Sequence, residues 1–185
     1  MDKPIMIMKN KIIDDFYSSP LKKSLREHLN ESQQEPFSGM RIESAHDVLD
    51  DLEREIKNKR FRRCNINQAR KLLGVKNAEW FVLRQDGRLM SYAIGIPEKD
   101  GGYYLNEIGA DEEMKGSGFK LMAYMETKAR DRGFKRFHFS SYSDNRSTQS
   151  GLDSFYEKKF VPRGYKVSNA PFEGGKEYSM SFDEH

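Results

Sequence analysis

The segment best able to do chemistry is Glu113-Met114-Lys115-Gly116-Ser117-Gly118, where two glycines alternate just ahead of an amphipathic run. A turn of this composition exposes backbone N–H groups, and a helix opening there adds partial positive charge. Glycine at 116 and 118 lets the backbone come close to an anion, and Lys115 adds a mobile cation. The chemistry implied is anion binding, phosphate above all, with no particular phosphate specified. Other reactive types are sparse. Cys64 is the single cysteine, so a disulfide framework is excluded and a reducing compartment is the natural setting. A lone cysteine reads as a small packed residue before it reads as a nucleophile. The four histidines, His28, His46, His138 and His185, do not cluster and have no cysteine at ligand spacing, so no metal site is expected. The Ser, His and Asp residues form no nucleophile elbow.

The elements that must hold this turn follow from periodicity. Residues 38–44 form a short strand candidate. Ser44 or Asp47 can cap a helix in which Val48, Leu49, Leu52 and Ile56 share a face. A second helix runs through NQARKLLG, with Gly74 as its stop. The period then falls to two. Strands at 79–85 and 88–97 flank Asp86-Gly87, a pair suited to the positive φ of a tight hairpin. A strand at 103–110 leads into the glycine turn. A helix over 117–132 follows, ended by Gly133, with Phe119, Met122, Met125 and Ala129 on one face and Lys120, Glu126, Lys128, Arg130 and Asp131 in water. A strand at 134–141, a helix near 148–158 and strands at 160–167 and 176–182 complete the chain. The order predicts a mixed α/β sheet with helices on both faces. Residues 1–36, with Pro4, Pro20 and Pro36, read as an extension that is partly disordered or packed on the core, and 37–185 as the main domain.

The stretch from Glu113 to Gly133 resembles motif A of the GCN5-related N-acetyltransferase (GNAT) superfamily, whose signature is Gln/Arg-x-x-Gly-x-Gly/Ala. The resemblance covers roughly 38–183. It implies a mixed, mostly antiparallel twisted sheet with a splayed central strand pair, and an acyl-CoA-dependent N-acetyltransferase with acetyl-CoA as co-substrate. It implies that the pyrophosphate sits on the N–H groups of Met114, Lys115, Gly116, Ser117, Gly118 and Phe119, and that Ile108, Gly109 and Ala110 pair with the pantetheine arm. Asn145 stands where an asparagine of the family contacts the cofactor. SFYEKKF (154–160) is similar to the family's Phe-Tyr-Glu-Lys-x-Gly-Phe segment, which makes Tyr156 the acid beside the departing thiolate. Two positions depart from the pattern. Glu113 replaces Gln or Arg, and the glycine before Phe160 is missing, which leaves Phe155 open as the residue in the tyrosine's place.

Acetyl transfer to an amine also needs a base. Glu107, on the strand beside the acetyl position, and His138, on the neighbouring strand, are the candidates; alternation sets Glu107 opposite to Asn106 and Ile108. Against them stand a solvated strand carboxylate and a packed or paired sheet histidine. The expected acceptor is a primary amine, first of all a protein lysine, because Leu-Met after the glycines resembles the histone-acetyltransferase branch. A small amine, an aminoacyl-tRNA, or a non-catalytic CoA-binding or interaction module stay open.

Composition sets the outer bounds. The chain has 185 residues with a formal net charge of +3, so global charge does not argue for nucleic acid or membrane binding. Twelve Phe and nine Tyr supply large core side chains. No apolar run reaches the length of a membrane span, and the start lacks the long apolar region of a signal peptide, so a cytoplasmic setting is expected. The basic stretch holding Arg60, Arg62 and Arg63 reads as a solvated helix end; contact with an acidic acceptor or RNA is the alternative. Residues 1–36 could border the acceptor cleft or join two copies into a homodimer.

Overall fold

Asp86 and Gly87 take positive φ values of 51° and 76°, and on either side of them β2 (Glu79–Gln85) and β3 (Arg88–Pro97) pair antiparallel. This is the hairpin expected of Asp-Gly. The computed structural model describes residues 37–61, 64–141, 146–171 and 174–182. Residues 1–36, Arg62, Arg63 and Asn145 lie outside the described residues.

β1 (Met40–Glu43) pairs with β2, and β4 (Gly102–Ala110) pairs with β3, all antiparallel. β5 (Arg136–Ser141) then runs parallel to β4, because helix α3 (Ser117–Asp131) carries the chain back between them. β7 (Lys176–Ser181) pairs antiparallel with β5, and β6 (Lys166–Asn169) closes that edge. The seven-stranded order is β1-β2-β3-β4-β5-β7-β6. The open, mostly antiparallel sheet with its parallel β4–β5 pair is the expected fold class.

Two apolar clusters occupy the two faces. On one, α3 and α4 (Arg146–Phe160) bring Leu121, Met122, Met125 and Phe160 against Phe81, Tyr103, Leu105, Phe137, Phe139 and Tyr178. On the other, α1 (Ala45–Lys57), α2 (Ile66–Lys71) and the turn after α2 cover Trp80, Val82, Tyr92 and Ile94 with Val48, Leu49, Leu52, Ala69 and Leu72. Asn65 caps α2 by accepting from the Gln68 backbone N–H at 3.2 Å.

Two local expectations are corrected. Residues 160–167 are not one strand: Phe160 ends α4 in the core, Val161–Arg163 form a 3-10 turn with Pro162 near its start, and Gly164 turns at φ 96° before β6. Glu126 is not in water; it is 7% exposed and accepts from Tyr165 Oη at 2.7 Å and Arg163 Nη2 at 3.0 Å. These donors arrive from a segment 37 or more residues away in sequence, so the helical period carried no trace of them.

Candidate active site

The glycine turn leaves several backbone donors without a protein acceptor among the described residues. Gly116 takes φ 86°, a value that favours glycine, and a Cβ there would meet no atom within 4 Å. Ser117 begins α3 buried, with Oγ donating to Met90 O at 3.4 Å, while Ser91 Oγ donates back to Ser117 O at 3.2 Å. The serine is therefore spent on anchoring the helix to β3 and caps nothing. The Met114 and Ser117 N–H groups close the turn onto Asp111 O and Met114 O. The N–H groups of Lys115, Gly116, Gly118 and Phe119 have no protein acceptor among the described residues. Four such donors at a helix start form an anion cradle. Glu113 stands at the start of this turn. Its side chain is 74% exposed and lies 4.0 Å from Arg88, which also pairs with the buried Asp111.

β4 enters the site with one edge unpaired. Its parallel register with β5 covers only Gly102–Leu105 against Arg136–Phe139. From Asn106 to Ala110, β4 stays bound to β3 alone, and β5 continues with β7 to Ser141. The two central strands part at Asn106, where the β3–β4 register also shifts: Leu105 opposes Gly95, but Glu107 opposes Ile94. Asn106 is thus the extra residue of a bulge. Ile108, Gly109 and Ala110 lie on the open edge. Ile108 and Ala110 also approach Gly118 at the start of α3; a Cβ there would sit 3.4 Å from the Ala110 methyl.

The candidate acid and bases stand on opposite faces of this gap. Tyr156 projects from α4 onto Phe139, with ring centroids 5.3 Å apart, and also touches Phe160 and Tyr178. Burial raises its phenol pKa above the ordinary value. Phe155, half exposed, points to solvent instead. Glu107 lies on the α1/α2 face. It is half-buried, accepts from Tyr92 Oη at 3.2 Å, and has its pKa raised by burial, with the Tyr92 hydrogen bond opposing the shift. His138 shares that face, its ring 5.0 Å from that of Tyr104. Its Nε2 lies 2.8 Å from Glu98 Oε2, and its Nδ1 3.4 Å from Glu177 Oε1 without a hydrogen bond. Both ring nitrogens therefore face carboxylates.

The sequence profile of the Acetyltransferase (GNAT) family matches residues 28–160. The chain belongs to the GNAT acetyltransferase family. No curated protein matches it in sequence. Solved structures share its fold at low identity. A GNAT-family protein from Desulfovibrio desulfuricans is 18% identical with a TM-score of 0.57, over 77% of this chain and 97% of that one. The PaiA N-acetyltransferase from Thermoplasma acidophilum, solved with coenzyme A, is 16% identical with a TM-score of 0.52, over 77% and 98%. An aminoglycoside 6'-acetyltransferase of type Ii is 12% identical with a TM-score of 0.56, over 79% and 98%.

As a GNAT acetyltransferase the chain is an acyl-CoA-dependent enzyme that uses acetyl-CoA. Its residues fit that co-substrate on three structural grounds: the unsatisfied N–H groups of the turn, the open space above Gly116, and the unpaired edge of β4. Among the described residues no group of His, Cys, Asp or Glu could hold a metal, and no helix is long and apolar enough to cross a membrane. Two neighbours of this region were not foreseen. Tyr92 reads in sequence as one more core residue of a buried strand, and Arg88 as an ordinary hairpin residue; only the folded pairing brings them to Glu107 and Asp111.

Proposed function

We propose that this GNAT acetyltransferase moves acetyl from acetyl-CoA to a primary amine, a protein lysine first, with Glu107 as base and Tyr156 as acid. The observation that carries the reading is the gap between β4 and β5, with Glu107 on one face and Tyr156 on the other. The co-substrate supplies an activated acetyl thioester and a thiolate leaving group. On the α3/α4 face, Lys115, Gly116, Gly118 and Phe119 offer backbone N–H groups to its phosphates, and the edge from Ile108 to Ala110 offers peptide groups to its amide arm. The carbonyl reaches the gap, and the amine approaches from the α1/α2 face. A nucleophilic amine must be neutral. Glu107 takes its proton, directly or through one water, with the carboxylate oxygen that Tyr92 does not bind. Tyr156 donates to the departing sulfur; its raised pKa keeps the phenol protonated through the neutral range.

His138 is the less available candidate because Glu98 and Glu177 flank both its nitrogens. The acceptor reading is supported by the half-buried carboxylates Glu98, Glu107 and Glu177 on this face, which suit a cationic side chain. Arg60 is engaged by Glu55 at 3.3 Å, which favours the local ion pair over an RNA contact. We place the reaction in the cytoplasm, where a chain with one cysteine needs no oxidising setting.

Thiol release from acetyl-CoA, measured with lysine peptides, small polyamines and aminoacyl-tRNA in parallel, tests the acceptor. Turnover with lysine peptides above the other two is expected; turnover confined to a small amine moves the acceptor class and leaves the chemistry. Acetyl-CoA at a hundredfold excess over its Kd should stabilise the fold by about 2.7 kcal/mol. No thermal shift at millimolar acetyl-CoA would sink the enzyme reading.

A further inference from the structure

Tyr92 is fully buried on β3, directly opposite Gly109 of β4. Its ring lies over that glycine so closely that a Cβ at 109 would run into the ring edge. The bare backbone of Gly109 thus lets the phenol cross β4 and reach Glu107, two residues earlier on the same face. Tyr92 Oη lies 3.2 Å from Glu107 Oε1 and 2.7 Å from Cys64 Sγ. The hydroxyl has one proton to give. An ionised carboxylate can only accept, so that proton points to Glu107, and the Cys64 thiol donates to Oη. Burial, then the neighbouring Cys64 and Glu107, push the Tyr92 phenol far above its ordinary range. Burial likewise lifts the Cys64 thiol to about 11. Both stay protonated at working pH, which makes the chain Cys64–Tyr92–Glu107 a fixed donor line ending on the carboxylate.

Other groups do not compete for Glu107. Tyr92 faces it from β3, with Cys64 behind from the segment joining α1 and α2. His138 on β5 shares its face of the sheet but is held between Glu98 and Glu177. No Lys or Arg among the described residues pairs with Glu107.

We propose that Tyr92 is a positioning residue for Glu107: its buried hydroxyl holds one carboxylate oxygen, stabilises the ionised form and leaves the other oxygen for the incoming amine. The proposal rests on Glu107 being the base. A hydrogen bond to the charged form of an acid lowers its pKa, and it opposes the rise that burial imposes on Glu107.

The test compares pH profiles of kcat/KM for the full-length wild-type enzyme, Tyr92→Phe, Glu107→Gln and the double variant. Tyr92→Phe keeps the ring that packs on Gly109 and Phe61, and thermal melting reports its folding. Its acidic limb should move to higher pH by about one unit, with the KM for acetyl-CoA unchanged. The double variant should match Glu107→Gln. Carboxyl carbon-13 titration of Glu107 should show the same upward shift without turnover. Incorporation of 3-fluorotyrosine at 92, a stronger donor of nearly the same shape, should move both readings down. A limb lost in Glu107→Gln but unmoved in Tyr92→Phe, with an unmoved titration, overturns the role of Tyr92 alone. A wild-type limb in Glu107→Gln removes the base itself, and the proposal falls with it.

Discussion

As the proposed base, Glu107 faces two opposed demands. A base must be ionised, and burial disfavours its charge, raising its pKa above 4.5. The expected kcat/KM therefore climbs with pH through the raised value, and Glu107→Gln should lower it by about 10²-fold and remove that limb. The same shift has a consequence for stability. A carboxyl whose folded pKa exceeds its unfolded one contributes stability that is full below the unfolded value and is lost as pH rises through the folded value. At neutral pH the Glu107→Gln enzyme should melt at a temperature above wild type, although it is nearly inactive; a lower melting temperature would contradict a charge held at a cost. Tyr156 offers a separate measurement. Tyr156→Phe keeps the ring on Phe139 and removes the proton, so turnover should fall about tenfold or more with acetyl-CoA affinity intact. Unchanged turnover refutes its acid role.

At the scale of elements, helix α3 has two ends that allow a matched comparison. Gly116 precedes it at φ 86° and Gly133 follows it at φ 79°, and a Cβ at either would meet no atom within 4 Å. Alanine at each should cost about 1 kcal/mol of strain, read by urea unfolding. Only Gly116→Ala should also weaken acetyl-CoA, by several-fold or more, since only Gly116 belongs to the turn with the free N–H groups. Equal affinity in the two variants would remove the cradle from the mechanism. The β4 bulge acts at the same scale. Strict alternation would set Glu107 on the face of Leu105, in the α3/α4 core. The extra residue Asn106 turns it to the α1/α2 face.

The described part of the main domain is two apolar layers on one sheet, and the proposed site lies where β4 and β5 part. On the α1/α2 side, Arg84 of β2 ties β1 and α1 together. Its guanidinium donates to Glu43 of β1 at 2.8 and 2.6 Å and lies 2.6 Å from Asp51 of α1. Arg84 holds the Glu43 carboxyl below its usual range. A depressed folded pKa contributes stability that is present above the unfolded value and is lost as pH falls through the folded one. Arg84→Met should destabilise the fold by roughly 2 kcal/mol at neutral pH, because it strands two partly buried carboxylates. It should also flatten the acid side of the melting-temperature profile; an unchanged acid side would remove Glu43 from the account.

Much of this protein was legible before folding. The Asp86-Gly87 hairpin, the glycine turn, the start of α3 and the family itself rest on local chemistry: positive φ, helix N-termini and fixed spacing act between residues close in the chain. By itself the sequence determined that an acetyl-CoA enzyme of the GNAT family was present and that a glycine turn opens its central helix. The tertiary structure decided what depends on distant partners. It turned Glu107 by a one-residue bulge, set Tyr92 and Cys64 behind it, flanked His138 with Glu98 and Glu177, buried Glu126 under Tyr165, and swung Glu113 toward Arg88. The physical reason is common to all five. Each depends on side chains brought together from separate elements, and periodicity records only which face a residue takes on its own.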